Sequence, residues 1–256
     1  MDFLANYFGS LNPMSFLSAL PGNIAQGIIW GLMGLGVFLT FKLLNFADLS
    51  VDGSFATGGA VTAVMLINGC PVWATIIVAI LAGLAAGLVT GLLHTLLGIP
   101  DILAGILTQI ALYSINLNIM GKSNLPISYR NYTLVVSASN INMAILVGLG
   151  ICAVVIAAMY WYFGTEQGST IRSTGSNPAM SKAQGININF TKVIALALSN
   201  GLVALSGSLF AQYQGFADIN MGRGAIVIGL AAVIIGEVLG EAIFRKHMNF
   251  CLLYTS

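Results

Sequence analysis

The chain is a series of long apolar stretches separated by short polar segments. Uncharged runs of about 18 residues or more have the length that crosses roughly 30 Å of hydrocarbon. In lipid such runs must be helical, because no water is present to satisfy open backbone groups. The runs are Ile24–Phe41, Val72–Leu93, Ile102–Met120, Ile141–Phe163 and Val193–Tyr213. The pattern therefore predicts an all-α integral membrane protein, a polytopic helix bundle.

Three further apolar stretches fit a spanning helix less well. Ala225–Phe244 is long enough to span but contains two glutamates. Ser54–Ile67 has only 14 residues, which predicts a short or broken helix. Phe3–Leu20 is of mixed polarity and is followed by Pro21 and Gly22, which favour a turn. We expect this first stretch to form an interfacial helix that ends at the turn.

Two segments of the chain resemble each other. A shift of 170 residues lays Ile24–Gly59 over Ile194–Gly229 without a gap, and ten of 36 positions are identical. The identities include a Phe-Ala-Asp triplet that ends in Asp48 and in Asp218. The copies lie five spans apart, so they should cross the membrane in opposite directions. This pattern is typical of an inverted-topology repeat with the substrate path between the halves; chance similarity of two glycine-rich helices is the alternative.

The repeat sets the expected domain organisation. We expect a single transmembrane domain over residues 1–250, with halves at about 24–120 and 193–250. The second half is shorter than the first, so we expect its C-terminal part to be missing. The final residues 251–256, Cys251–Ser256, read like a translated sequencing adapter, and we expect them not to be native; a natural short tail is the alternative.

Composition excludes most other classes of protein. Hydrophobic residues make up 57% of the chain and charged residues 7%, against roughly 25% charged residues in soluble domains. A soluble enzyme and a nucleic-acid binder are therefore excluded, and the net charge of +1 indicates no polyanionic partner. The sequence shows no metal-ligand cluster, nucleotide-binding loop or catalytic constellation. We expect no metal, no cofactor and no enzymatic activity of its own.

The densest basic loop sets the orientation. By the positive-inside rule Gly164–Lys192 belongs in the cytoplasm, although two basic residues of the preceding loop would then lie outside. Within it Asn177 precedes Pro178, a favourable helix start, and Gly185 is a favourable helix end. We predict a short helix Pro178–Gln184 parallel to the membrane, which suits docking to a cytoplasmic partner.

Polar residues in and beside the apolar stretches are candidates for a transport pathway. A charge at the bilayer centre costs roughly 2.5–3.5 kcal/mol, so Glu237 should either line the pathway or pair with a basic residue. Asn116 and Asn200 could bond neighbouring helices or line the pathway, and His94 could relay protons or be a satisfied interfacial residue. The possible pathway residues are Asp48, Asp52, Asn116, Asn200, Asp218 and Glu237.

The basic loop resembles a known coupling loop. Ile171–Ile186 is similar to the coupling loop of permease subunits in bacterial ATP-binding-cassette importers of the branched-chain amino acid type. Phe46–Phe55, Leu198–Gly207, Gly105–Thr108 and Leu112–Leu117 are similar to a subgroup paired with lipoprotein-type binding proteins, some linked to tryptophan or tyrosine uptake. The resemblance covers residues 24–240. The loop positions that it implicates in ATPase coupling are Arg172, Gly175, Asn177, Pro178, Met180, Ala183 and Gly185.

This resemblance implies a multi-pass permease domain in the plasma (inner) membrane. Two copies would pair as a homodimer in the lipid bilayer, each resting on a cytoplasmic ATP-binding-cassette ATPase. An extracytoplasmic substrate-binding lipoprotein would deliver a small organic solute, such as an amino acid or a related compound. The alternative is an ion-coupled secondary transporter or channel. That alternative requires intramembrane ionisable residues, and Glu237 is the one serious candidate.

Overall fold

The computed structural model of the chain describes residues 13–127, 134–137 and 141–244. The expectation for Cys251–Ser256 lies outside the described residues. The elements are α1 (Pro13–Phe38), which continues as a π-helical turn over Leu39–Leu43, α2 (Val51–Ile67), α3 (Val72–Leu97), α4 (Asp101–Met120), β1 (Asn124–Pro126), α5 (Ile141–Phe163), α6 (Glu166–Ser176), α7 (Pro178–Ala183), α8 (Ile188–Gln214), β2 (Phe216–Asp218) and α9 (Ala225–Phe244).

The predicted spans are confirmed. Among the described residues, five helical segments are long and apolar enough to cross a membrane: Ala19–Leu43, α3, α4, α5 and α8. Each contains one of the five predicted runs, and α2 and α9 are the shorter apolar helices beside them. Large apolar side chains point outward along α3, α4 and α5, as lipid contact requires. The chain is an all-α polytopic membrane protein.

The predicted turn at Pro21 is wrong. The helix α1 begins at Pro13 and runs through Pro21 without a break; the first ten residues of the predicted interfacial helix, 3–12, lie outside the described part of the chain. Proline removes one backbone donor, but a neighbouring helix can compensate in a membrane bundle. Here the Tyr213 hydroxyl of α8 donates to the carbonyl of Gly22 (3.0 Å). This contact joins α1 to α8 one residue after the proline, whereas the carbonyl left without its helical donor is that of Leu17, four residues before Pro21.

The helix α8 lies at the centre of the bundle. It is the most buried of the five spans, while α5 is the least buried. The rings of Trp30, Phe55 and Phe210 pack together with centroids 5.3–5.5 Å apart and join α1, α2 and α8. On the other side the glycine ridge of α3 packs directly on the α8 backbone, and its members are Gly83, Gly87 and Gly91. The central helix is therefore held by aromatic packing on one side and by close backbone approach on the other.

The contact between α1 and α8 is reciprocal. Ser199 Oγ donates to the carbonyl of Gly36 (2.7 Å), and Ser206 Oγ donates to the carbonyl of Ile29 (2.6 Å). The shift of 170 residues carries Ser199 onto Ile29 and Gly36 onto Ser206. Each copy thus contacts the other through the same surface, as a twofold axis requires, and the two helices run antiparallel. This geometry favours a true inverted repeat over chance similarity.

The neighbouring pair α2 and α8 runs parallel. Ser54 Oγ donates to Asn200 Oδ1 (2.6 Å), and eight residues further along both helices Thr62 Oγ1 donates to Ser208 Oγ (2.7 Å). Midway between these bonds the backbone of Gly58 packs on the carbonyl of Ala204. Small residues let the two helices approach closely enough for both hydroxyl pairs to form.

The loop after α5 is more ordered than the sequence predicts. The short helix is confirmed as α7, although Gln184 is its C-cap rather than its last residue, and Gly185 has φ +83°. The preceding polar stretch, for which the sequence predicts no helix, forms the eleven-residue helix α6. Its inner face is buried at Gly168, Ile171 and Thr174, a three-residue spacing that brings them to one side of the helix. Tertiary packing of this narrow face stabilises a helix with little apolar content.

Candidate functional site

A buried polar cluster joins the two repeats where α1 turns into α2. Asp48 Oδ2 accepts a hydrogen bond from Asn200 Nδ2 (2.7 Å), and Asp48 Oδ1 accepts from the backbone N–H (2.8 Å) and hydroxyl (2.5 Å) of Ser50. Ser54 completes the set through its bond to Asn200. All four side chains are fully buried. Since unpaired buried polar groups are costly, the bonds fix the α1–α2 connection against α8.

The local backbone explains how Asp48 reaches the interior. The π-helical turn ends at Leu43, and Asn45 adopts a left-handed conformation (φ +54°) that reverses the chain. Asp48 then accepts from the backbone of Ser50, two residues on, as aspartate often does in turns.

A second set of polar residues surrounds the N-terminus of α9. Asp52 Oδ2 accepts from the backbone N–H of Gly224 (3.1 Å), and its Oδ1 accepts from Ile226 (2.9 Å). The carboxylate thus lies at the N-terminus of α9, where the helix dipole favours negative charge. Beside it is a cavity of about 320 Å³ between α2, α4 and the β2–α9 connection. Its lining residues are Asp52, Gly53, Ala56, Gln109, Ile110, Tyr113, Asn116, Ile219 and Arg223.

Asn116 is exceptional among the residues that line this cavity. Its side chain is fully buried, yet neither its amide oxygen nor its amide nitrogen has a hydrogen-bond partner. Leaving such groups unsatisfied costs roughly 1–3 kcal/mol each. An asparagine that only joins helices, one of the two roles weighed from the sequence, would use that amide on a neighbour.

Glu237 is paired with a basic residue. Lys42 Nζ lies 2.8 Å from Glu237 Oε1 and 3.1 Å from Oε2, with side-chain exposures of 47% and 26%. The pair links the end of α1 to α9. Of the two roles that the sequence leaves open, the structure places Glu237 in the ion pair, and such partly exposed pairs contribute about 0–1 kcal/mol.

His94 also has satisfied partners. Its Nδ1 lies 2.9 Å from the carbonyl of Ile99 and 3.1 Å from Asp101 Oδ1, and its Nε2 lies 2.9 Å from Lys192 Nζ. The ring therefore bridges α3, α4 and α8 at the end of the bundle that also holds Lys42. No group of three or more His, Cys, Asp or Glu side chains suited to a metal occurs in the described part of the chain.

The short helix α7 presents an exposed surface at this same end. Asn177 Oδ1 accepts from the backbone N–H of Met180 (3.1 Å) and so caps the helix. Met180 is 58% exposed, Pro178 and Ala183 are also exposed, and only Ser181 of the helix is buried. An exposed methionine on a capped, rigid helix is typical of a protein-binding surface.

Two other loop positions face the bundle instead. Gly175 in α6 packs against the carbonyl of Leu43 at the end of the π-helical turn. Arg172 is partly buried, and its Nη2 lies 3.4 Å from the carbonyl of Phe163. These two residues hold α6 against the bundle, whereas the α7 residues are exposed.

The pathway candidates do not form one site. Asp48 and Asn200 meet in the buried cluster, and Asp52 and Asn116 meet around the cavity. Asp218 lies in β2, which pairs with β1, and its Oδ1 accepts from the backbone of Asn220 (2.7 Å). The contributions of Ser50, Ser54, Tyr113 and Arg223 were not predicted from the sequence. Only the sequence proximity of the two serines to Asp48 could have indicated their role.

The chain is similar over most of its length to known transport proteins. A family model described as the permease component of branched-chain amino acid transport systems matches residues 22–244. The tyrosine transport system permease protein of Clostridioides difficile (strain R20291) is 45% identical over 224 residues, 87% of this chain and 74% of that protein.

More distant relatives have other names. The D-allose transport system permease protein of Escherichia coli (strain K12) is 28% identical over 234 residues, 90% of this chain and 71% of that protein. The autoinducer 2 import system permease protein of Enterobacter sp. (strain 638) is 28% identical over 236 residues, 90% and 66% of the two chains. No solved structure matches significantly.

Proposed function

Because the chain belongs to the family of permease components of branched-chain amino acid transport systems, we propose that it forms the membrane pathway of an importer for an aromatic amino acid. It is a multi-pass plasma-membrane permease of the ATP-binding-cassette class. The amino acid assignment is supported by the 45% identity to a tyrosine transport permease. Since other members are named for a sugar and for autoinducer 2, the family alone fixes only the importer class.

The proposed power source is a separate cytoplasmic ATPase that docks on α7. The cap at Asn177 and the exposed Met180 give this helix a defined, partly apolar surface. The opposite side of the loop packs on the bundle through Gly175 and the carbonyl of Leu43. A push on α7 therefore acts on α6 and then on the π-helical turn.

The buried cluster around Asp48 follows the π-helical turn along the chain. Leu43 ends the turn only five residues before Asp48, which is bonded to Asn200 of α8. Movement of the turn would therefore act on the central helix through Asp48. This continuous series of packed and hydrogen-bonded groups supports the proposal that ATP-driven force enters at α7 and moves the two repeats relative to each other.

The remaining partners are part of the same proposal. Two permease copies pair, and a binding lipoprotein docks at the outer end, where β1 and β2 pair antiparallel. Each strand follows a helix end, so the outer surface is built from both repeats. A lipoprotein that contacts both strands would sense their relative movement.

Replacing Met180 with glutamate tests the coupling surface. We expect M180E to lower ATP-driven tyrosine uptake by at least about tenfold, because a charge enters the apolar centre of the ATPase contact. Since Met180 is exposed, thermal stability and the affinity for the binding lipoprotein should not change. The assay is uptake into proteoliposomes that contain the full-length importer, together with co-purification of the ATPase.

Two matched variants control this experiment. Met180→Leu keeps size and apolarity and should transport normally. Lys122→Glu introduces a negative charge at the opposite end of the bundle and should leave ATPase binding intact. Normal uptake and normal ATPase co-purification by M180E would refute the docking role of α7.

A further inference from the structure

We propose that the cavity beside Asp52 is a binding site for an aromatic α-amino acid whose ring carries a hydrogen-bonding group. This inference rests on the proposed function and specifies the site within the permease. The cavity volume of about 320 Å³ lies in the range of small-molecule sites. It lies where α2 and α4 of the first repeat meet the β2–α9 connection of the second, and inverted-repeat transporters bind their substrates at the interface between repeats.

The charges around the cavity match a zwitterion. Arg223 is exposed, and the described residues include no carboxylate within salt-bridge distance of it. Its guanidinium is therefore available for bidentate binding of a carboxylate. Each Asp52 oxygen accepts one backbone N–H and retains a free acceptor position that can receive an ammonium group.

One face of α4 fits the rest of the ligand. Gln109, Tyr113 and Asn116 follow each other at helical spacing, and all three line the cavity. Tyr113 is 44% exposed and can stack on an aromatic ring, with Ile110 and Ile219 as apolar neighbours.

The position of Asn116 indicates where the ring substituent of the ligand would lie. The helical rise of 1.5 Å per residue places it roughly 10 Å along α4 from Gln109. Gln109 is the end nearest Asp52, because its Cα lies beside Gly53. That length suits an aromatic amino acid held by its charged groups at one end. The amide of Asn116, which is buried beside the cavity without a bond, would then become the partner of the polar ring substituent when the ligand displaces the side chains that cover it.

Equilibrium binding of radiolabelled L-tyrosine to the purified full-length permease, without its binding lipoprotein, tests the site. We expect Arg223→Gln to weaken binding by at least about tenfold, as loss of a charged hydrogen bond does. We expect the wild type to prefer tyrosine over phenylalanine, because the ring hydroxyl satisfies Asn116. Asn116→Leu should remove this preference without lowering the thermal midpoint.

Matched controls lie close to both positions. Asn118 is exposed on the same helix, so Asn118→Leu should keep the tyrosine preference. Lys122→Gln removes a positive charge beyond the end of α4 and should leave the affinity unchanged. Since Arg223 is exposed, R223Q is expected to fold normally even if a buried variant does not.

The outcomes separate the site from the importer function. If the assembled importer transports tyrosine but R223Q and N116L bind it as the wild type does, the site assignment is overturned. If the permease binds no tyrosine while the importer carries it, the assignment is likewise overturned and the importer function stands. If the assembled importer transports no aromatic amino acid, both the proposed function and this inference fail.

Discussion

Replacing Asn200 with leucine is expected to lower the free energy of unfolding by about 3–5 kcal/mol. The variant removes the amide donor from Asp48 and the acceptor from Ser54, so a carboxylate and a hydroxyl are left buried with fewer partners. Breaking one member of a buried charged network is among the most damaging single changes. Thermal unfolding of the purified protein in detergent, followed by tryptophan fluorescence, measures the loss.

The loss of stability should arise because Asp48 loses a hydrogen-bond donor, and not from the leucine side chain itself. Asn118→Leu makes the same chemical change at an exposed position and should unfold as the wild type does. The double variant Asp48→Ala, Asn200→Ala should lose less stability than its two single variants together, because no charge is stranded. If N200L proved as stable as N118L, the cluster would not hold the repeats together.

Replacing Gly58 with alanine is the second change with a large expected effect. A Cβ at this position would collide with the carbonyl of Ala204, which is backbone and cannot rotate away. The helices α2 and α8 must then separate and break the flanking Ser54–Asn200 and Thr62–Ser208 hydrogen bonds. We expect a loss of about 3 kcal/mol, at the upper end for overpacked cores, together with loss of uptake.

Gly34→Ala is the matched control for this experiment. Gly34 is also a helical glycine, but a Cβ there would meet no atom within 4 Å. Alanine favours the helix by about 1 kcal/mol over glycine, so G34A should be neutral or slightly stabilising. Equal thermal midpoints for G58A and G34A would show that α2 and α8 do not approach as closely as the structure indicates.

Features that depend on the length and period of apolar runs could be predicted from the sequence. The five spans and the short α2 follow from the bilayer thickness and from helical spacing. The repeat was visible because the Phe-Ala-Asp triplet combines aromatic and acidic residues in an otherwise aliphatic chain. The capped α7 was visible because Asn177 and Pro178 are local signals that require no distant partner.

Features that depend on distant partners could not be predicted. Pro21 favours a turn locally, but α1 runs through it, as packing in a membrane bundle allows. The helix α6 has few apolar residues, so its stability comes from contacts with Leu43 and Phe163. The sequence shows which residues are charged but not which residues lie beside them in the fold. It therefore left two roles open for Glu237 and gave no role to Arg223.

The proposed coupling requires α7 to lie on the cytoplasmic side of the membrane, and thiol labelling of Lys182→Cys measures on which side it lies. The native cysteines are first replaced, and Asn68→Cys, exposed between α2 and α3, serves as the outside control. A membrane-impermeant maleimide should label Lys182→Cys only in inside-out vesicles, and bound ATPase should protect it. Asn68→Cys should react only in right-side-out vesicles. Labelling of Lys182→Cys in right-side-out vesicles would contradict the proposed coupling of this permease to a cytoplasmic ATPase.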